Sequence, residues 1–326
     1  MPRASVVLGV NLVVGAAGLG WLLHRFGGDA WELLLTRASG LGLAAFFLTV
    51  LLAFVAFARR WQLLLAGLDS RPGLGRLTAY RAAGQSLSSL VPSAKLGGEP
   101  LRVWLLTEGG TAAPVALTSV VIDRTLEIAS STAFTVVFAG LLVRRGVPAL
   151  EGALVTVVLA TVGIGVGIAV TVRRLRRGAG LVTAAARATG LGEVRAVAGR
   201  LGVVEEAEAA ATRLVGDRGR MLRALGIGLL ANALVLVEYR LLLGAFDLPT
   251  APLAVVAAIF ATGAAHSFPV PAAVGALEGA QMWLFGVLGH PPEVGLAVGL
   301  AVRLRELVWV VPGLLVLAAR TLRRPA

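Results

Sequence analysis

Val91-Pro92-Ser93-Ala94-Lys95-Leu96-Gly97-Gly98-Glu99-Pro100-Leu101-Arg102 and Phe268-Pro269-Val270-Pro271-Ala272-Ala273-Val274-Gly275-Ala276-Leu277-Glu278-Gly279 are the two stretches on which the fold turns. Each lies in apolar surroundings, breaks on Pro and Gly, and resumes with an acid. A regular helix does not run through either, because Pro removes an N–H and its ring clashes with the preceding turn. The two stretches are also related. At an offset of 179 residues Val91-Pro92 falls on Val270-Pro271 and Glu99 on Glu278. The same register sets Trp104 on Trp283, Arg124 on Arg303, Glu127 on Glu306, Gly84 on Gly263, Ser88 on Ser267, Gly110 on Gly289 and Arg144-Arg145 on Arg323-Arg324. Apolar coincidences are cheap in such a chain, but charged residues, Pro and Trp holding one register mark an internal repeat.

The sequence around these stretches is strongly hydrophobic. Of 326 residues 57% are apolar and 15% charged, with a mean hydropathy of +0.85. A soluble domain carries about 25% charged residues, so that class is excluded. Apolar runs at 5–23, 40–58, 114–143 and 150–172 approach the roughly 17 to 25 residues of a membrane span. They are far longer than the strands of a transmembrane barrel, which leaves an all-α polytopic membrane protein. The net charge of +12 does not point to nucleic acid, since no solvated basic domain accompanies it. Of the 30 basic residues 29 are Arg and one is Lys95. Cysteine is absent, so disulfides, thiolate metal sites and thiol nucleophiles are excluded.

The apolar run ending at Leu23 exceeds the h-region of a signal peptide and reads as a retained first helix. Further spans are predicted at about 41–65, 112–142, 150–172, 222–245 and 293–319, while 74–107 and 253–288 read as re-entrant hairpins. About six full transmembrane helices plus two hairpins make one integral membrane domain over 1–326. Repeat one covers about 1–146 and repeat two about 150–326. Three crossings per repeat is odd, so the second copy is expected to be inverted, as in secondary transporters whose broken helices frame a substrate site. Six crossings put both termini on one face. That face carries 19 Lys and Arg residues and the other 4, which predicts cytoplasmic termini in the inner membrane. The long polar connection 173–221 opens with Arg173, Arg174, Arg176 and Arg177 and is expected to form a cytoplasmic basic and interfacial segment. A plain positive-inside stop signal is the alternative for it.

Candidate binding residues gather at the hairpins and the mid-span charges. In the first hairpin Gly97 and Gly98 end one half-helix, and the amides at the start of the next make an anion site flanked by Lys95, Glu99 and Arg102. The alternative is that Glu99 and Arg102, three residues apart, neutralise each other. In the second hairpin Pro271 and Gly275 make the same break, and Glu278 has no basic neighbour in sequence. Its candidate partners are Arg124, Arg303 and Arg305. Asp123, Arg124 and Glu127 lie near the middle of one span, and Arg303, Arg305 and Glu306 near the middle of another. Six unpaired charges there would cost on the order of 15 to 20 kcal/mol, so they must pair or line water. Pairing as a structural lock is the alternative to a binding role. Glu238 and Arg240 share the fifth span without a counterpart in the repeat.

Gly97-Gly98-Glu99-x-x-Arg102, the cluster Asp123-Arg124-x-x-Glu127, and Pro269-x-Pro271 with Gly275-x-x-Glu278 together resemble the flippase-like transmembrane family named after the membrane domain of lysylphosphatidylglycerol synthase. The family's second motif usually has two glycines after the second proline, where this chain has Ala272 and Ala273. Ala276-Leu277-Glu278-Gly279 with Arg303-Leu304-Arg305-Glu306 is similar to a branch associated with hopanoid lipid synthesis. The resemblance implies lipid handling, with translocation of a phospholipid or an isoprenoid- or hopanoid-type lipid as the activity. No aminoacyl-transferase domain follows residue 326, so lysyl transfer is not expected. Partners implied are membrane lipids with an anionic headgroup and lipid-synthesis enzymes. The other readings are a non-transporting membrane partner of such an enzyme and an integral-membrane lipid transferase or hydrolase using Glu99 or Glu278 as acid or base.

Further signals are weak. No G-x-x-x-x-G-K-[ST] loop is present, so ATP hydrolysis is not expected. His24, His266 and His290 lack ligand spacing, so no metal and no cofactor are expected. Gly163, Gly165 and Gly167 read as helix-packing positions rather than a nucleotide loop.

Overall fold

A computed structural model of the chain describes residues 2–90, 97–144, 151–177, 195–266, 268 and 270–321. Val91, Pro92, Ser93, Ala94, Lys95, Leu96, Arg145, Ser267, Pro269, Arg323 and Arg324 lie outside them. Among the described residues the chain is helical throughout. The elements are α1 (Pro2–Thr36), α2 (Gly40–Ala66), α3 (Leu74–Leu90), α4 (Glu99–Glu108), α5 (Ala113–Arg144), α6 (Glu151–Arg176), α7 (Arg195–Gly216), α8 (Arg218–Ala245), α9 (Pro252–Ala265), a 3-10 turn (Pro271–Ala273), α10 (Ala276–Val287) and α11 (Pro292–Thr321).

Three of these helices contain a segment both long and apolar enough to cross a membrane: Gly40–Ala66, Val158–Leu175 and Arg218–Ala245. They coincide with three of the predicted spans. Helices α5 and α11 have the length but carry the mid-span charges. The two segments read as hairpins resolve into α3 with α4 and into α9, the 3-10 turn and α10. The 179-residue offset carries α2 onto α8, α3 onto α9, α4 onto α10 and α5 onto α11. It also carries Gly110 onto Gly289, which share a positive φ, 90° and 84°, just beyond the ends of α4 and α10. At the N-terminus the sequence reading expected a connection after Leu23, yet α1 continues to Thr36. The reason is packing: Ala30 and Leu34 are four apart on one face and buried, with Phe26 and Leu33 beside them.

The helices gather into two compact units. One comprises Met1–Ala53, Ala79–Leu101 and Ala233–Ala326. Its core joins Ala30, Leu34, Phe46, Tyr239, Leu242, Leu277, Phe285 and Leu296, among others. Helices α10 and α11 cross at very short range, and glycine makes that possible. A Cβ on Gly295 would stand 2.5 Å from Met282 Cα, and one on Gly299 would stand 3.1 Å from Glu278 Cα. Helix α11 also approaches α3, where Ser86 Oγ lies 3.0 Å from the carbonyl of Val310, close to Pro312 within the helix.

The other unit comprises Phe54–Thr78 and Arg102–Asn232. Its core includes Leu64, Ile122, Leu126, Leu175, Leu214 and Ala224. Helix α7 buries Ala207, Ala210, Ala211, Leu214 and Val215, and Thr118 of α5 donates to the Ala207 carbonyl at 2.8 Å. Asp217 then caps α8, accepting from the Arg220 backbone N–H at 2.9 Å and from Arg220 Nε at 3.0 Å. Both bonds favour the charged form and hold its carboxyl below the usual range.

Gly295→Ala is expected to lower the stability of the detergent-solubilised protein by about 2–3 kcal/mol, because backbone must move to admit the methyl. Gly286, on the open face of α10 with nothing within 4 Å of its Cβ direction, serves as the contrast. Gly286→Ala is expected to gain about 1 kcal/mol from helix propensity. Thermal unfolding of both variants checks the pair, and equal shifts would contradict the packing described.

Candidate functional site

Charge inside these apolar helices is concentrated in two clusters, one within each unit. In the unit containing α5, Asp123 is fully buried and bridges two arginines. Arg60 Nε donates to its Oδ1 at 2.8 Å and Arg102 Nη2 to its Oδ2 at 2.7 Å. Arg60 Nη2 also donates to the Asp123 carbonyl at 3.0 Å and to Glu127 Oε2 at 3.3 Å. Glu127 is completed by Arg124, whose Nη1 donates to Oε1 at 2.7 Å. The Arg102 guanidinium stacks 4.0 Å from the centroid of Trp61, and Trp61 Nε1 donates to Ser119 Oγ at 3.1 Å. Such stacking stabilises a cation where water is scarce.

In the other unit, the centre is Arg303 on α11. Nε donates to Glu278 Oε1 at 2.7 Å, and Nη2 to Glu278 Oε2 at 3.2 Å. Nη1 donates to Glu306 Oε2 at 2.9 Å and to the Ala272 carbonyl, and Nη2 also donates to the Ala273 carbonyl at 2.8 Å. An arginine has five N–H groups, and here all five meet protein acceptors. Glu278 is completely buried. As the third residue of α10 it also reaches back to accept the Gly275 N–H at 3.0 Å, the carboxylate half of a capping box, since Gly275 has no side chain to return the bond. The start of this half-helix is therefore already occupied by a carboxylate from the chain itself.

The turn before α10 has an unusual backbone. Ala272 and Ala273 both adopt left-handed conformations, with φ of 51° and 48°. That turns two successive carbonyls toward one guanidinium. These are the positions at which the family resemblance expects glycine, and left-handed backbone is the physical reason glycine suits them.

Several sequence expectations resolve here. Arg303 is the partner of Glu278 among the three candidates. Arg124 pairs with Glu127 and Arg303 with Glu306, each three residues along one helix, so these charges pair as the cost of burial requires. Arg305 instead pairs with Glu238 of α8 and stands over the ring of Tyr239 at 5.1 Å. Gly98 is buried against α3: its N–H donates to Ser88 Oγ at 2.8 Å, and a Cβ would fall 2.0 Å from the Gly84 carbonyl oxygen. Glu99 opens α4. Two residues of these clusters were not among the sequence candidates. Arg60 lies within the predicted span 41–65 but was not singled out there as a charged position. His266 was set aside for want of metal spacing, although an isolated histidine beside a broken helix is a signal in its own right.

Apolar helices bearing paired internal charges define a helical membrane protein. Residues 6–313 match the family described as the lysylphosphatidylglycerol synthase TM region, and the chain belongs to that family. It is thus a membrane protein related to lipid metabolism or transport. Comparison with curated proteins gave no match.

Ala272→Gly and Ala273→Gly are each expected to raise stability by about 0.5–1 kcal/mol. Relief of left-handed strain contributes about 1–2 kcal/mol, and the greater freedom of glycine in the unfolded chain offsets part of it. Thermal unfolding in detergent checks this, and a loss of stability in both variants would contradict the left-handed turn.

Proposed function

We propose that the protein is a flippase-like transporter that moves a lipid with an anionic headgroup across the bacterial cytoplasmic membrane. Phospholipids and phosphate-bearing isoprenoid or hopanoid-type lipids fit that chemistry. The observation that carries the reading is the recurrence of one charge arrangement. An Arg–Glu pair three residues apart forms on α5 and again on α11, at repeat-equivalent positions, each near in sequence to a broken helix. Family membership supports a lipid as the cargo.

In this reading the two repeats are inverted, the hairpins open to opposite sides, and both termini are cytoplasmic. A lipid phosphate exchanges for carboxylates on Arg124 and Arg303 as the headgroup passes, while the tail stays in hydrocarbon. Near the start of α4, Gly97 is the remaining candidate donor, since the Gly98 N–H is taken by Ser88 and Arg102 by Asp123. An open groove lined by Leu126, Met221, Leu222, Leu225 and Arg218 combines apolar surface with a cation, as an anionic lipid requires. The protein acts without covalent chemistry, and lipid-synthesis enzymes are its expected neighbours.

The five filled N–H groups of Arg303 favour a second reading, in which the charges are a structural lock within a non-transporting partner of a lipid-synthesis enzyme. Translocation of a labelled anionic phospholipid in liposomes separates the two. Removing either Arg124 or Glu127 alone is expected to cost about 3–5 kcal/mol through the partner left unpaired. The double variant Arg124→Gln, Glu127→Gln is expected to regain stability and yet move lipid at least about tenfold more slowly, as is Glu99→Gln. Wild-type translocation in these folded variants would favour the lock.

A further inference from the structure

His266 lies at the end of α9, and its side chain is only 6% exposed. Its surroundings dictate where its protons are. Nδ1 is 2.8 Å from the Thr262 carbonyl oxygen. A carbonyl only accepts, so Nδ1 carries a hydrogen. Nε2 is 2.7 Å from Glu306 Oε1. A bare ring nitrogen and a carboxylate oxygen repel at that distance, so the pair holds a proton, although the ring N–H does not point straight at the oxygen. Glu306 also accepts from Arg303 at 2.9 Å, which stabilises it as the anion. The geometry therefore favours placing that proton on the ring rather than on Glu306.

Charge balance points the same way. The groups that face this corner are Glu306, Arg303 and Arg305 on α11, Glu278 on α10, Glu238 and Tyr239 on α8, and Thr262 on α9 itself. Glu238, Glu278 and Glu306 exceed Arg303 and Arg305 by one negative charge, which an imidazolium cancels. The position is held from two directions: Gln281 of α10 donates to the Ala258 carbonyl at 2.8 Å and to Thr262 Oγ1 at 3.1 Å, tying the end of α9 to α10. At the 179-residue offset His266 meets Leu87, which has no titratable group. The device belongs to the second repeat alone.

We infer that His266 and Glu306 form a proton-binding site whose occupancy controls the Arg303 lock, and that the proton is the coupling ion for lipid movement. When the proton leaves Nε2 for water, the ring remains as the neutral Nδ1–H form and its lone pair confronts Glu306. Glu306 is driven from the ring, its bond to Arg303 is disturbed, and the guanidinium becomes available to a phosphate. Reprotonation restores the neutral cluster and expels the anion. The coupling role rests on the translocation reading; the proton site does not.

Two measurements test the two parts. In the full-length protein carrying His24→Gln and His290→Gln, nitrogen-15 spectra of the labelled imidazole report His266 alone. The expected spectrum near neutral pH is that of a doubly protonated ring, changing to the neutral Nδ1–H form on raising the pH and in Glu306→Gln. A neutral ring in both proteins from about pH 5 to 9, the range in which histidines titrate, would overturn the proton site. In liposomes an imposed pH gradient is expected to change the wild-type translocation rate at least about threefold and to leave His266→Gln unaffected. A wild-type rate indifferent to the gradient would overturn the coupling. Absence of lipid movement under either condition would overturn the translocation reading and the coupling with it, while the spectra still decide the proton site.

Discussion

A charge in the middle of an apolar helix must find its counter-charge inside the protein, and this constraint shapes everything around the two clusters. Asp123 meets it by holding two arginines at once, and Arg303 by engaging two carboxylates and two carbonyls. Neither arrangement forms unless helices approach closely. Gly295 and Gly299 let α11 touch α10 at the level of Glu278, and Gly313 performs the same service against α3, where a Cβ would stand 2.0 Å from Ser86 Oγ. Small residues at membrane-helix contacts are usually explained by packing alone. Here they also set the distance at which charges pair. The paired groups contribute little net stability, since desolvation offsets most of the Coulombic gain, but the loss of any one partner is expensive. They enforce one arrangement of helices rather than adding to its depth.

What the sequence revealed follows from the same physics. Helical architecture was legible because apolar runs of span length have one solution in lipid. Both broken segments were legible because Pro and Gly interrupt a helix irrespective of what packs against it. Pairs three residues apart on one helix were legible too, since a single helix fixes their geometry. Contacts between elements distant in sequence were not. Nothing local to Arg60 marks Asp123 as its partner, and Arg305 joins Glu238 across 67 residues. The surroundings of His266 combine a carbonyl one turn earlier with a carboxylate brought by another helix. The departure from glycine at Ala272 and Ala273 was visible as a mismatch, yet its meaning required the backbone angles.

The functional reading turns on how firmly the charges are held. A phosphate presents the same acceptor geometry to a guanidinium as a carboxylate does, so exchange between them needs no new kind of interaction. It needs a trigger that weakens one carboxylate at a time. In the Arg303 cluster a single proton provides it, because it alters both the charge balance and the contact beside Glu306. The proton site has no counterpart at Leu87. An asymmetry of this kind gives an otherwise symmetric repeat a distinguishable starting point.

The path for lipid headgroups requires that the two repeats face opposite sides of the membrane. Because the chain has no cysteine, one thiol placed at Gly97 and another, in a separate protein, at Ala276 report the two repeat-equivalent hairpin positions. With cytoplasmic termini, a membrane-impermeant thiol reagent should label Ala276→Cys in intact cells and Gly97→Cys in inside-out vesicles. Labelling of both from the same side would contradict the inverted arrangement and the path for lipid headgroups built upon it.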